Sequence, residues 1–458
     1  MDEALSLNNY KSLSFWHDTV DDDLTPRDSL HGDVDVDVAI IGGGLTGLWT
    51  AWYLLKRAPG LKISVIEKEI AGFGASGRNG GWVSALFPRS TASLEREHGR
   101  DQAIAMRRAM IETVDEVAKA SAAAGLDADY VKGGTIGFAR SAVQLSSARA
   151  DVAEAARYGV DLLELWPADR VRAAGALGAT FDPSCARVHP AKLVRGLARA
   201  LERRGVAIYE GTEVLDFEPH RVVTRNGVIR CESLVVATEG YGATMRATKR
   251  QVLPLYSLMI ATEPLAEAVW DEIGIDHGQT FNDHRHLLVY GQRTADNRFA
   301  FGGRGARYHW GSAIKGEYDR VPNVFAHLRR TLGEMFPMIG DAAVTHTWGG
   351  PLGVPRDWHA SARFDSATRI ASAGGYVGDG LSTTNLAGRT LADLITGTDS
   401  ELVRLPWVNH QSPQWEPEPL RFLGSNAGLL AMNLADAEER FTKRRSVIAR
   451  MVAPLVGH

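Results

Sequence analysis

The sequence predicts an α/β protein in which a parallel layer is interrupted by an antiparallel one. Three observations predict it. Near the start of the chain, DVDVAIIGGGLTGLWTAWYLL runs from a buried strand through a glycine turn into a helix. Strands of hairpin type begin near Arg250. The chain then returns to a glycine-rich strand-and-helix pattern over Ile370–Thr396. At 458 residues the chain exceeds the ~250–300 at which one core stops growing, so two domains are expected.

In order, Val36–Ile41 reads as a buried strand, Leu45–Arg57 as a helix and Lys62–Glu67 as a second strand. Arg100–Gly125 and Ser141–Tyr158 read as helices. His189–Gly205 places Leu193, Leu197 and Leu201 at helical spacing. VAIYEG and Leu234–Thr238 are strands of the same parallel layer. VLPLYSLMIAT, HLLVYGQR and RFAFGGR are strands too, and TADN joins the last two as a hairpin turn. The stretch after Trp407 holds an amphipathic helix, taken as an outer cap.

Composition narrows the function. With 51 Lys+Arg against 55 Asp+Glu and 45% hydrophobic residues, the chain is neither disordered nor charged in a way that calls for nucleic acid or an anionic membrane. Cys185 and Cys231 are too few for a disulfide framework or a Cys₄ metal site. The polar N-terminus lacks the basic and apolar regions of a secretory signal. The apolar stretch Val38–Leu55 is broken by three consecutive glycines, so it reads as strand–turn–helix rather than a membrane span. A cytoplasmic protein is expected. Asp283-His284-Arg285-His286 lacks the helical pairing of a zinc site, so no metal is expected.

The 47 glycines fall in clusters at Gly42–Gly47, Gly72–Gly81, Gly302–Gly305, Gly349–Gly353 and Gly374–Gly380, as if a long ligand were approached many times. The first cluster contains G-x-G-x-x-G at Gly42, Gly44 and Gly47, with Leu45 and Thr46 between them. Those glycines permit a tight turn, approach of a pyrophosphate and close helix–strand packing, and the helix N-terminus meets the phosphates. Glu67, followed by Lys68, ends the next strand, where a carboxylate accepts ribose hydroxyls and repels a 2′-phosphate. FAD and NAD share this fingerprint. A second glycine loop, AGFGASGRNGGW at Ala71–Trp82, tips the reading toward FAD, since it can lie along a pyrophosphate and a flavin while Arg78 and Asn79 offer donors.

These pieces, with HPAKLVRGLARALERRGVAIYEGTEV, LVVATEGY and AGGYVGDGLSTTNLAGRTLADLI, resemble the D-amino-acid oxidase family of FAD-dependent oxidoreductases from about Asp35 to Thr396. The SGRNGG loop is most similar to the gamma-glutamylputrescine oxidase-like branch. The resemblance implies a Rossmann-like FAD-binding domain of discontinuous segments (1–90, 185–250 and 340–410), an antiparallel-sheet substrate domain (91–184 and 251–339) and a C-terminal helical cap (411–458). It implies that Gly42, Gly44 and Gly47 face the pyrophosphate and Glu67 the ribose. Ser76, Arg78, Asn79, Gly80 and Gly81 would lie along the pyrophosphate and flavin, Val214 by the adenine, and Thr238 and Glu239 at the adenosine end. Gly375, Gly378, Asp379, Gly380 and Leu381 would reach the flavin's pyrimidine edge. Asp379 stands where histidine is common in the family. No cysteine follows Cys231, which excludes the flavin attachment of some relatives and makes the expected FAD non-covalent.

The expected reaction is oxidation of the C–N bond of a small amine or amino acid by hydride transfer to flavin, with imine hydrolysis and electrons passed to molecular oxygen or another acceptor. The cofactor supplies the hard chemistry, so no strong base is required. Candidate substrate residues are Arg304 as carboxylate fork, Tyr256, Tyr290 and Tyr308 as pocket walls, and His309 as proton acceptor. Trp348 with Asp357 reads either as a cavity wall or, the favoured alternative, as a packed turn. Two other classes stay open: an NAD(P)H-dependent flavin monooxygenase, and a non-catalytic FAD-bound assembly protein.

Overall fold

The computed structural model describes residues 10–303 and 307–452. Two eight-stranded sheets organise them. The first runs Ser361–Asp365, Ile370–Gly374, Val228–Val236, Val34–Ile41, Ile63–Ile66, Ala207–Tyr209, and Arg221–Thr224 and Val214–Glu218 extend it beside Val228–Val236. From Ile370–Gly374 to Ala207–Tyr209 every pairing is parallel. Val34–Ile41 explains its own central place. Its first half is partly exposed, whereas Val38–Ile41 is buried without a break, as a strand covered on both faces requires.

The second sheet runs Val344–Val354, Leu253–Thr262, Phe299–Gly303, Val289–Arg293, Thr280–Asp283, Thr135–Ala139, Gly178–Asp182, Glu164–Pro167. It is antiparallel except where Thr280–Asp283 pairs in parallel with Thr135–Ala139. The expected hairpin is present, with Asn297 at φ 63° in the turn between Val289–Arg293 and Phe299–Gly303. Phe138, Phe281, Phe299, Phe301 and Phe336 fill this layer's core, beside the helix Pro322–Met335.

Sequence boundaries hold to within a few residues for the long helices, because their ends are chemically marked. Arg100–Ala124 stops at Gly125, which takes the left-handed conformation. Pro190 opens Pro190–Glu202 at its first turn, and His189 accepts the Lys192 amide. One assignment is corrected. The glycine-rich strand Val344–Val354, read as part of the nucleotide segment 340–410, pairs along its length with Leu253–Thr262 and so belongs to the second sheet. With that strand moved, we propose the three-part division of the chain otherwise as read.

The acidic N-terminal stretch is not a loose tail within the described residues. Phe15 and Trp16 are buried in a cluster with Met259 and Trp348. Trp16 Nε1 donates to the Asn79 carbonyl at 2.7 Å, so this segment buttresses the second glycine loop. Cys185 and Cys231 are buried and unpaired. Among the described residues no helix is long and apolar enough to cross a membrane. The C-terminal helix Leu420–Thr442 lies on the outside, held by Asp436, which accepts from the His286 amide at 2.8 Å.

The helices Leu45–Arg57 and Gly380–Thr396 cross where Gly388 meets Trp49, and a Cβ on Gly388 would stand 2.6 Å from the Trp49 backbone carbon. Gly388→Val is therefore expected to cost at least ~1–3 kcal/mol through overpacking. Calorimetry should find a lowered thermal midpoint; an unchanged midpoint would mean that the two helices separate freely.

Candidate active site

A cavity of about 2010 Å³ lies between the two sheets. It exceeds the ~300–1,000 Å³ of ordinary small-molecule sites and suits a dinucleotide with a substrate beside it. Most of the expected cofactor residues line it: Gly42, Gly44, Leu45, Thr46, Glu67, Lys68, Ser76, Arg78, Asn79, Gly80, Val214, Thr238, Glu239, Gly378, Asp379, Gly380 and Leu381. Tyr290 closes it from the second sheet, with Ser257, Met259 and Asn282.

Two helix N-termini open onto this cavity. Leu45–Arg57 follows Gly44, and Gly380–Thr396 follows Asp379; in neither does the N-cap residue's own side chain cap the helix. Their positive ends favour negative charge in the cavity. Gly42 makes the first turn possible at φ +109°, and its Cβ would stand 2.5 Å from the Ala237 carbonyl oxygen. Gly47 does not line the cavity. Its Cβ would stand 2.2 Å from the Gly42 carbonyl oxygen, so it brings helix against strand as the motif requires. The Glu67 carboxylate accepts from the Gly43 amide at 2.7 Å and the Glu69 amide at 3.0 Å. Burial pushes its carboxyl up to about 7, against the pull of those amides. Ser76 Oγ accepts from the Leu45 amide at 2.8 Å, which ties the second glycine loop to the first helix. Lys68 pairs with Glu213 at 2.8 Å on the rim.

Three of these residues also bond to the protein itself. Arg78 gives at least two of its donor atoms to the protein. Its buried guanidinium pairs with Asp319 at 2.7 Å and donates to the Phe73 carbonyl at 2.7 Å. Asn79 donates to the Ala75 carbonyl at 3.0 Å and accepts from the Gly81 amide at 2.8 Å, so it shapes its own turn. Glu239 is spent on the fold. One carboxylate oxygen accepts from Gly353 at 2.6 Å, the other from Gly375 at 3.0 Å and Tyr376 at 3.2 Å. Burial raises its carboxyl above the usual range, and these amides oppose the rise. Beside it Val377, a β-branched residue, sits at φ 52°. That conformation is costly, and strain of this kind gathers at functional turns.

The second layer agrees less with the sequence. Of the expected substrate residues that are described, Tyr290 alone lines the cavity, its hydroxyl 2.8 Å from Ser257 Oγ. Tyr256 is buried behind the wall, where its hydroxyl accepts from the Lys315 amide at 3.3 Å. Tyr308 donates to Glu418 at 2.7 Å and so anchors the C-terminal segment. His309 stacks on Tyr318 at 3.4 Å between ring centroids and is not part of the cavity wall. Arg304 lies outside the described residues. Gly81 and Gly375 sit behind the lining, packed on Gln292 and Pro355. Conversely, Trp348 is a cavity wall after all, with Nε1 donating to the Arg78 carbonyl at 2.8 Å. Lys315, Glu317, Asp319 and Arg320 also line the cavity, and the sequence does not mark them, because a polar stretch between strands carries no periodic signal. Tyr376 was legible only as part of its glycine motif; its hydroxyl meets Thr46 Oγ1 at 3.0 Å. Elsewhere Glu97, His98 and His359 bring one ligand atom each within 4.8 Å of the others, but Arg89 already pairs with Glu97.

A parallel sheet with a glycine turn at a helix N-terminus, a carboxylate on the neighbouring strand and a second sheet across a long cavity defines a dinucleotide-binding oxidoreductase. The chain belongs to the DAO family of FAD-dependent oxidoreductases, whose model matches residues 37–394. It is 30% identical over 382 residues to the gamma-glutamylputrescine oxidoreductase of Escherichia coli, covering 81% of this chain and 86% of that one. It is 30% identical over 391 residues to a probable oxidoreductase OrdL of Rhizobium meliloti, covering 81% and 85%. The crystal structure of glycine oxidase from Geobacillus kaustophilus shares the fold at a TM-score of 0.69 and 20% identity, covering 82% of this chain and 99% of that one. The cofactor is therefore FAD, and the donor set fits it: two helix ends that favour negative charge and a strand-end carboxylate that can accept ribose hydroxyls.

Glu239→Gln leaves one oxygen for three amides and turns an NH₂ toward a donor. A charge-assisted hydrogen bond is worth ~1.5–3 kcal/mol, and a loss of that size in stability is expected. Thermal unfolding of the purified variant checks it; a midpoint equal to the parent's would remove Glu239 from the architecture.

Proposed function

We propose that this protein oxidises the C–N bond of a small amine or amino acid, and that water hydrolyses the resulting imine. The observation that carries the reading is one cavity bounded by the nucleotide motif on one side and by Tyr290, Ser257 and Met259 of the second sheet on the other. The likeness to a relative named for gamma-glutamylputrescine oxidation supports the substrate class. Gly42, Gly44, Glu67 and Ser76 would hold the pyrophosphate and ribose, Val214 and Thr238 the adenosine end, and Gly378 to Leu381 the pyrimidine edge. When bound, the flavin supplies the two-electron acceptor.

The chain's own residues have four tasks. The Ser257–Tyr290 hydroxyl pair orients the substrate amine. Tyr290, Met259 and Trp348 exclude water. Lys315 and Arg320 give the cavity cations for a carboxylate, Arg320 with the fork that a carboxylate fits. Arg304 stays a sequence-based candidate for the same task. No strong base is needed, since a neutral amine held in place gives up hydride without one. The composition and the two unpaired cysteines support a cytoplasmic location.

The test is anaerobic. A panel of primary, secondary and N-methyl amines, with amino acids among them, is mixed with the FAD-loaded protein. At least one should bleach the flavin. If none does and NADPH bleaches it promptly, the monooxygenase reading replaces this one. If nothing does, the non-catalytic reading stands.

Glu67→Ala removes a charge-assisted contact to the ribose, worth ~1.5–3 kcal/mol, so FAD affinity should fall about tenfold to a hundredfold. Titration of the apoprotein with FAD measures it. Affinity equal to the parent's would take Glu67 out of the site.

A further inference from the structure

The C-terminal helix Leu420–Thr442 has two different faces. One holds it to the body. Asn426 donates to the Tyr308 carbonyl at 3.2 Å, Phe422 packs on the Tyr308 ring, Ala435 is buried, and Asp436 accepts from the 286–287 backbone. The opposite face is apolar and exposed. Leu420, Leu423, Leu430, Leu434 and Phe441 are 62%, 60%, 60%, 49% and 84% exposed. Ala427 and Ala437 complete the series, so apolar residues recur at alternating spacings of three and four from 420 to 441. That is the narrow seam of a two-helix coiled coil, not the wider stripe of a helix docked on its own core.

We propose that this face is the interface of a homodimer, in which the helix pairs antiparallel with its own copy across a two-fold axis. Three observations favour a second copy. The heptad spacing is self-complementary, as an isologous contact needs. Gly424 and Ala431 flank the seam with small side chains that let two backbones approach. The area also fits. With ~150–250 Å² available from each large apolar side chain, the five leave on the order of 600 Å² exposed per protomer, so a pair covers on the order of 1,200 Å², where specific interfaces begin. Charge sets the direction. Arg440, Lys443, Arg444 and Arg445 are all exposed at one end of the helix. A parallel pair would bring these four against their own copies, whereas an antiparallel pair keeps them apart and aligns the helix dipoles favourably.

The experiment uses the full-length, FAD-loaded protein. Light scattering after size exclusion at micromolar concentration should give twice the 49.7 kDa chain mass. Leu430→Glu, at the middle of the seam, should halve that mass while far-UV circular dichroism and flavin content stay at parent values. A parent that runs as a monomer overturns the proposal, and so does a Leu430→Glu variant that remains a dimer. A monomeric parent that sediments with anionic phospholipid vesicles would assign the face to a lipid surface instead. For direction, Leu430→Cys should couple to its own copy through a short bis-maleimide. Leu420→Cys should not, because its two copies would stand about 30 Å apart along an antiparallel pair. Equal coupling at both positions overturns the antiparallel arrangement.

Discussion

One carboxylate joins the two halves of this molecule. Glu239 stands just after the first-sheet strand Val228–Val236 and accepts from Gly353 in the second sheet's edge strand. Its other oxygen accepts from Gly375 and Tyr376, at the turn that leads into Gly380–Thr396. Its own segment and two others, at 353 and at 375–376, are thereby joined through one side chain. A buried carboxylate carries a large desolvation cost and persists only where donors surround it. Here the donors are backbone amides, which a substitution elsewhere cannot remove. The cavity depends on this clamp, since its three attached segments all contribute to the wall.

Around the clamp, most polar side chains of the wall answer to the protein before they can answer to a ligand. Arg78 is held by Asp319 and by the Phe73 carbonyl, with its guanidinium 4.5 Å over the Phe73 ring. Asn79 closes its own turn, and the N-terminal Trp16 presses on it from behind. Such groups rigidify the loop that the glycines leave free to approach a cofactor. Rigid support of this kind lets a site bind without spending affinity on ordering its own loops.

The sequence made the first half of this legible and the second half not, for a physical reason. Strand, glycine turn, helix and Glu67 lie within some thirty residues, and each shows in local periodicity or composition. The long-range pairs do not. Arg78 and Asp319 are 241 positions apart, and nothing in either neighbourhood marks the other. The burial of Phe15 and Trp16 was hidden because a short apolar pair within an acidic stretch has no period. On the second sheet the strands are buried on both faces, so alternation could not say which tyrosine faces the cavity. Tyr290 does and Tyr256 does not, although both sit among apolar neighbours. The sheet to which Val344–Val354 belongs is not legible locally, because its partner strand Leu253–Thr262 lies some ninety positions earlier.

The charges that remain in the cavity follow from these commitments. Glu239 is answered by amides, Glu67 by the Gly43 and Glu69 amides, and Asp319 by Arg78. With those acids answered, negative charge in the cavity can be met by two helix N-termini and by cationic side chains of the wall, Lys315 and Arg320 among them. Lys315 is only loosely engaged by Glu317, at 3.5 Å, and Arg320 donates to the Ser12 carbonyl at 3.0 Å on the surface. Both are long and exposed enough to turn toward a bound anion at small cost. The helix ends are fixed dipoles that need no reorganisation to meet negative charge. On the proposed reading, a cavity built this way would hold a dinucleotide by its backbone and leave selection among substrates to a few adaptable side chains between residues 314 and 320.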